Sequence, residues 1–498
     1  MWSKEDLKQM VQREIGDHRL IVVSNRQPYI HELLDGELRY TVPAGGLTTA
    51  LDPLMQESGG TWIAHGGGSG DWSAVDGDNK IMVPPDNPAY ALRLVRLTEE
   101  EERGYYHGFS NTALWPLCHN AYTEPVFDVG DWQTYQAVNQ KFSEQVLDEI
   151  DGRPAAVFTQ DYHLALLPRL LREADPDIIT GQFWHIPWPS PEIFRICPWQ
   201  EELLDGLLGN DLLGFHIADH CNNFLSTANQ ALAGKVDYAR GLVSHRGEST
   251  LVRPFPISVD FEQICEDARS SEVAEEMERL SGELRLGGML VGLGIDRIDY
   301  TKGIPHRFRA IGRFLEKYPE YIEKVVFVQA GVMSRTGVDA YQQLAEQIEE
   351  LLAEINGRFG RRGWQPIIYM PTDLPNVSLL ALRRLACFCV VSSLHDGMNL
   401  VAKEYVASRF DEDGVLILSP FTGAAHELTD ALIVNPYATE HFADAFRDAV
   451  EMPRDERRTR MIRMRAVVRE NNIYKWAAGL LVDLMQDKRR ARRPIRAS

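Results

Sequence analysis

Ten short apolar runs punctuate the chain, at 20–23, 155–158, 178–183, 212–215, 289–294, 325–328, 367–369, 388–391, 415–418 and 432–434. Most are built from Val, Ile, Leu or Phe without strict polar alternation, the pattern of parallel strands buried on both faces. Between them lie stretches such as Leu344, Ile348, Leu351, Leu352 and Ile355, spaced for one face of a helix. This alternation predicts an α/β protein with two doubly wound sheets. A boundary is expected at 254–259, where Pro254, Phe255 and Pro256 interrupt the pattern and a polar helical stretch follows at 262–284.

The 498 residues are enough for two or three domains. Lys plus Arg is 52 and Asp plus Glu is 72, for a net charge of −20. So acidic a surface repels polyanions, which argues against nucleic acid or an anionic membrane as partner. An anionic small substrate would need a local cluster of Arg and Lys. Ser3, Lys4, Glu5, Asp6 and Lys8 break up any signal-peptide core, and no run of 18 apolar residues occurs. The six cysteines are scattered, against a disulfide framework. Cys387 and Cys389, two apart, read as one face of a buried strand rather than a metal pair. The cytoplasm is the expected compartment. The tail 488–498 carries Lys488, Arg489, Arg490, Arg492, Arg493 and Arg496 and is expected to be disordered and solvated.

Chemistry-bearing residues follow the apolar runs. Gly294-Ile295-Asp296-Arg297-Ile298-Asp299-Tyr300-Thr301-Lys302-Gly303 reads as a strand-to-helix loop suited to an anion, with a guanidinium fork, an ammonium and helix N–H groups. A surface ion-pair loop is the alternative. Asp396, Gly397, Met398 and Asn399 follow another run, and Glu404 lies eight residues past Asp396, about two helical turns. Ligands sit at such carboxyl ends in open α/β sheets, and a carboxylate there could take both hydroxyls of a ribose. A helix cap with a surface Glu reads the residues equally well. Gln160-Asp161-Tyr162-His163 and Trp184-His185-Ile186-Pro187 place ionisable groups at two more strand ends. Ser24-Asn25-Arg26 and Pro43-Ala44-Gly45-Gly46 form a weaker phosphate-binding candidate. Gly66-Gly67-Gly68-Ser69-Gly70 reads as a mobile loop. Zinc spacings and a P-loop are absent.

Taken in order, these residues resemble the trehalose-6-phosphate synthases, retaining glycosyltransferases of family 20 with the GT-B fold. The resemblance covers about residues 18–485, with matching segments at 105–115, 161–164, 185–194, 297–308, 334–341, 396–406 and 423–437. It implies two Rossmann-like doubly wound domains facing a central cleft. The expected layout is an N-terminal extension 1–17, an acceptor domain 18–257, a nucleotide-sugar domain 258–475, a final helix 476–487 returning to the first domain, and the tail. It implies that Arg297 and Lys302 neutralise the donor diphosphate and that Glu404 holds the ribose. Asp396, Gly397, Met398, Asn399, Leu400 and Val401 would hold the rest of the donor, with Gly46 a flexible loop glycine near its phosphates. Asp161 and His185 would stand beside the sugars. Arg26 and Arg335 would clamp the acceptor phosphate, with Tyr106 and Trp115 lining that site.

The implied reaction is glucosyl transfer from UDP-glucose, a co-substrate, to glucose 6-phosphate, giving α,α-trehalose 6-phosphate and UDP. It belongs to trehalose biosynthesis and osmoprotection and is implied to need no metal or other cofactor; a homo-oligomer is left open. The sequence departs from the family at His395, where Arg is usual, at Ala64-His65-Gly66, where a Gly-Trp pair is common, and in a longer segment after Arg26. There Gln27-Pro28-Tyr29 is similar to glucosylglycerol-phosphate synthases, whose acceptor is glycerol 3-phosphate. A catalytically silent sugar-phosphate sensor is the reading from another class. The intact Arg297, Lys302, Asp161 and Glu404 argue against it.

Overall fold

A computed structural model describes residues 2–42, 46–232, 234–332 and 339–491. Arg335 and Gly45 lie outside them, as does the tail beyond 491. The chain forms two compact units, one spanning Ser258–Asn472 and the other Trp2–Ile257 with the segment from Ile473 onward.

In the unit that starts at Trp2, seven parallel strands form the centre of a ten-stranded sheet. They run in the order Glu248–Pro254, Leu212–Phe215, Ile179–Phe183, Ala155–Gln160, Arg19–Arg26, Thr61–His65 and Tyr90–Val95. Antiparallel strands close both edges. The chain builds outward from Arg19–Arg26 in one direction, then resumes on its other side with Ala155–Gln160. The gap between those two strands is therefore the topological switch point, where open α/β sheets bind ligands.

The Ser258–Asn472 unit has a six-stranded parallel sheet in the order Ile367–Met370, Val325–Ala330, Leu290–Ile295, Phe388–Val391, Val415–Leu418 and Leu432–Ile433. Numbered along the chain this is 3-2-1-4-5-6, the Rossmann order. Its switch point lies between Leu290–Ile295 and Phe388–Val391, which pair Gly292 with Phe388 and Leu293 with Cys389.

Three features depart from expectation. The final helix spans Ile473–Ala491, longer at both ends than 476–487. It packs on the helices Lys4–Ile15 and Gly46–Ser58 and the strand Ile179–Phe183. Ile473, Trp476, Ala477, Leu480, Leu481, Leu484 and Met485 form its buried stripe. Helix-favouring Lys, Arg and Ala carry the backbone on, so 488–491 are helical rather than disordered. Gly46 is the first residue of the helix Gly46–Ser58, not part of a flexible loop. Gly66–Gly70, read from sequence as mobile, is packed: a Cβ on Gly68 would lie 2.3 Å from the His31 carbonyl oxygen. Buried Asp71 ties this loop to the segment after Arg26, accepting hydrogen bonds from Gly68 N (2.7 Å), Gln27 Nε2 (2.7 Å) and His31 N (2.9 Å).

Candidate active site

At the switch point of the Ser258–Asn472 unit, the strand Leu290–Ile295 delivers the loop 296–303. Asp299 opens it by accepting from Thr301 N at 2.9 Å and Thr301 Oγ1 at 2.8 Å. Gly303 closes it at φ +67°, where a Cβ would meet the Ser392 carbonyl oxygen at 2.2 Å. That turn leaves Arg297 exposed and the Lys302 side chain largely buried. Across the switch point, Asp396 accepts from Lys302 Nζ at 2.6 Å, from Ser393 Oγ at 3.1 Å and from Asn399 Nδ2 at 3.1 Å, all on Oδ2. Asn399 sits at φ 78° and caps the helix Leu400–Ser408 by accepting from Ala402 N at 3.2 Å. A non-glycine residue held there stores strain of the kind that collects at functional sites. The first two turns of this helix carry Leu400, Val401 and Glu404, all half-buried. Glu404 Oε2 accepts from Arg383 Nη2 in an ion pair.

The floor of this cluster is charged and dry. Arg307 is fully buried and donates to Asp296 Oδ2 (2.6 Å), Gln329 Oε1 (2.6 Å) and Ser392 Oγ (3.0 Å). It thereby ties together three neighbouring strand ends. Burial raises the pKa of Asp296, against the opposing pull of Arg307. Gly294 leaves room for it, because a Cβ would lie 2.3 Å from Arg307 Nη1.

At the other switch point, Arg19–Arg26 ends in a bulge that leaves Arg26 exposed. Next to that strand, Ala155–Gln160 ends at Asp161, whose φ is 68°. Hydrogen bonds from both backbone and side chain hold this strained residue. Its N–H donates to Phe183 O (2.7 Å) and its carbonyl accepts from Gln182 Nε2 (2.9 Å). Its Oδ1 accepts from Tyr162 N (3.0 Å) and His185 N (3.2 Å). His185 Nε2 lies 3.0 Å from Gln160 Oε1, and its carbonyl lies 2.9 Å from His216 Nε2. Burial lowers the His185 pKa to about 3, so its imidazole is neutral at physiological pH. With Gln160 Oε1 as acceptor, Nε2 carries the proton and Nδ1 presents a lone pair.

Tyr106 stacks on His163 at 5.6 Å between ring centroids, and His163 stacks on Tyr162 at 4.0 Å. Buried Trp115 lies 6.0 Å from the Tyr162 ring. Tyr106 belongs to a π-helix, Arg103–Leu114. Asn111 Nδ2 and Thr112 Oγ1 donate to the carbonyls of Tyr106 and His107, five residues back, both at 2.7 Å. Wide turns of this kind recur at functional sites.

The structure thus gathers Lys302, Asp396, Asn399 and Glu404 at one switch point. It gathers Asp161, His185, Tyr106 and Trp115 at the other. Arg335 falls outside the described residues. Sequence reading missed Arg307, Arg383 and Gln160. Gln160 directly precedes Asp161 at the strand end, whereas nothing in the local pattern marks Arg307 or Arg383 as buried. Gln27 and Tyr29 are buried, on Asp71 and on Asp52 Oδ1 at 3.0 Å, so they serve packing. Among the described residues no group of His, Cys, Asp and Glu is arranged to hold a metal ion. No helix among them is long and apolar enough to cross a membrane.

Comparison with known proteins agrees with this layout. The family model described as Glycosyltransferase family 20 matches residues 18–486. A trehalose-6-phosphate synthase of Mycolicibacterium paratuberculosis is 38% identical over 476 residues, covering 94% of this chain and 95% of its own. The alpha,alpha-trehalose-phosphate synthase [UDP-forming] of Schizosaccharomyces pombe is 36% identical, covering 97% and 94%. An E. coli structure described as bound with UDP-2-fluoro glucose superposes with a TM-score of 0.84 at 32% identity, covering 94% and 99%. A Burkholderia xenovorans synthase in complex with glucose-6-phosphate gives 0.83 at 33% identity, covering 94% and 100%. The fold is GT-B, with two Rossmann-like domains. Matched along nearly its whole length by a family model, by relatives and by solved structures, the chain belongs to glycosyltransferase family 20, the family of the trehalose-6-phosphate synthases.

Proposed function

We propose that this hexosyltransferase moves glucose, with retention, from UDP-glucose to D-glucose 6-phosphate, forming α,α-trehalose 6-phosphate and UDP in the cytoplasm. The cluster of Lys302, Asp396 and Asn399 at a Rossmann switch point carries this reading, within a chain whose relatives bear that activity in their names. Lys302 has three N–H donors, so it can keep Asp396 and still meet a phosphate oxygen. Together with exposed Arg297 it neutralises the charge that grows on the diphosphate as the C1–oxygen bond to UDP breaks. Asp396, fixed by Lys302, Ser393 and Asn399, takes hexose hydroxyls, with the backbone of Gly397 and Met398 beside it. Glu404 takes the ribose.

On the acceptor side, Arg26 meets the phosphate, assisted by Arg335, and the stacked Tyr106–His163 pair offers a ring face to the sugar. Asp161 and neutral His185 orient the hydroxyls of the two sugars; orientation of this kind lowers the barrier without a covalent step. The diphosphate is met by side chains, so the reading needs no divalent cation. Glucose 6-phosphate is favoured over glycerol 3-phosphate because relatives matched along nearly the whole chain are named trehalose-phosphate synthases, one of them solved in complex with glucose-6-phosphate. The test is UDP release from UDP-glucose with glucose 6-phosphate, glycerol 3-phosphate or no acceptor, with the product identified by NMR. Faster release with glycerol 3-phosphate would overturn the acceptor, and no release with either would overturn the activity.

A further inference from the structure

The pair formed by Arg383 and Glu404 sets the orientation of a carboxylate that has little else to hold it. Glu404 stands one turn into the helix Leu400–Ser408 with its side chain 28% exposed. A glutamate there samples several rotamers, and each wrong one removes an acceptor from the ligand. Arg383 comes from a different helix, Asn376–Leu385, and its side chain is only 5% exposed. Its Nη2 holds Glu404 Oε2, while its Nε is buried without a hydrogen-bond partner. An arginine kept dry for one carboxylate oxygen is an expensive way to decorate a surface.

The backbone that carries this side chain is anchored as well. The Arg383 carbonyl accepts from Arg409 Nη1 at 3.1 Å. The same Nη1 also takes the Arg384 carbonyl at 3.0 Å and the Ala386 carbonyl at 2.6 Å. This second arginine fastens the end of the helix Asn376–Leu385 at the residue that reaches Glu404. The pair fixes Oε2 and leaves Oε1 as the oxygen able to accept from a ligand.

We infer that Arg383 is a positioning residue that makes Glu404 a reader of the ribose hydroxyls, so that the enzyme distinguishes ribo- from 2′-deoxyribonucleotides through this pair. The inference rests on the proposed role of Glu404 and names the group that makes that role effective. Arg383 touches no substrate; it holds the carboxylate in one rotamer.

The test compares binding of UDP, 2′-deoxy-UDP and inorganic pyrophosphate to the full-length chain by calorimetry. Wild type should prefer UDP over 2′-deoxy-UDP by roughly 10-fold or more, the scale of one hydrogen bond to a charged acceptor. Glu404→Gln should collapse that ratio toward 1. Arg383→Met should collapse it too while pyrophosphate binds as before, because the diphosphate grip lies on other residues. Arg383→Lys, which keeps the charge but loses the fork, should give an intermediate ratio and serves if the Met variant does not fold. A ratio that survives in both Arg383 variants but not in Glu404→Gln overturns the inference and leaves the Glu404 role standing. A wild-type ratio near 1, or one that Glu404→Gln preserves, overturns the ribose role and the inference with it. Equal weakening of pyrophosphate in the Arg383 variants shows a merely structural residue and also overturns it.

Discussion

Lys302 and Asp396 lie 94 residues apart in the chain and hold each other across the Rossmann switch point at 2.6 Å. Both side chains are nearly nine-tenths buried, at 13% and 12% exposure. Neither group is positioned by its own loop alone. Replacing Lys302 with Ala removes a cation from the diphosphate and also unpins the carboxylate that meets the hexose. Turnover should fall by about 10²-fold or more, the scale for one preorganised charge contact. Arg297→Ala should cost a similar factor but leave the Asp396 geometry intact. Steady-state UDP release measures both, and full activity in the two variants would remove the assigned roles.

Gly303 allows that geometry to form. At φ +67°, with a Cβ placed 2.2 Å from the Ser392 carbonyl, alanine is excluded both by backbone strain and by collision. Gly303→Ala should destabilise the Ser258–Asn472 unit by about 1–3 kcal/mol and depress activity by displacing Lys302. Thermal unfolding read alongside kcat checks this. A variant with wild-type Tm and activity would show that the loop has room to relax.

His185 supplies a pH prediction. Its imidazole is held down from 6.5 to about 3 by burial. Well above pH 6.5 folded and unfolded chains are both neutral at this group, so it adds no pH dependence there. Between 6.5 and about 3 the unfolded chain takes up a proton that the folded chain refuses, so stability falls as the pH falls. The His185 share should be about 1–2 kcal/mol between pH 7 and pH 5. His185→Gln should therefore lose less Tm over that interval than wild type. Nor should kcat/KM show a limb near 6.5 from this residue. A limb there that vanishes in His185→Gln would mean that the imidazole titrates normally in the folded enzyme.

Much of the fold was legible because buried parallel strands leave unbroken apolar runs, and the ten runs correspond to ten of the observed strands. Strands with other signatures were not. Lys80–Val83 and Tyr90–Val95 mix charge with apolar residues. The hairpin Ile30–Leu34 with Glu37–Thr41 is largely exposed, so burial never shaped its sequence. The π-helix Arg103–Leu114 has no periodicity that a 3.6-residue pattern can reveal. In the site, Asp161, Lys302 and Asp396 were legible because each follows a strand run directly. Their supports were not. Arg307 reaches back 11 residues to Asp296 and forward 85 to Ser392, and Arg383 reaches 21 to Glu404. Only packing brings such partners together.

Metal dependence follows from the proposed leaving-group chemistry. With Arg297 and Lys302 meeting the diphosphate, initial rates should be unchanged after treatment with EDTA. Loss of activity on chelation, restored by Mg²⁺ or Mn²⁺, would assign the charge neutralisation to a cation and leave the two side chains a secondary role.

The acceptor is the remaining choice, and Arg26 is the residue through which to test it. The protein carries a net charge of −20, so a dianionic sugar phosphate must be drawn in by local cations. Arg26 stands exposed at the end of the strand Arg19–Arg26, at the switch point it shares with Asp161. Its backbone is fixed by Ser24 Oγ, which donates to the Arg26 carbonyl at 2.7 Å and itself accepts from Trp62 Nε1 at 2.8 Å. The guanidinium thus starts from a rigid strand end, and its planar fork matches a phosphate. Arg26→Ala should raise the KM for glucose 6-phosphate by about 10-fold or more while leaving the KM for UDP-glucose nearly unchanged, as expected for a lost charge-assisted contact. Arg26→Lys should recover part of the loss, because a point charge replaces the fork. Free glucose should be a very poor acceptor for the wild type and no worse for Arg26→Ala, since it has no phosphate to lose. If free glucose matches glucose 6-phosphate in the wild type, the phosphate contributes nothing and Arg26 has another task. If Arg26→Ala raises both KM values alike, the residue supports the fold of the site rather than the acceptor.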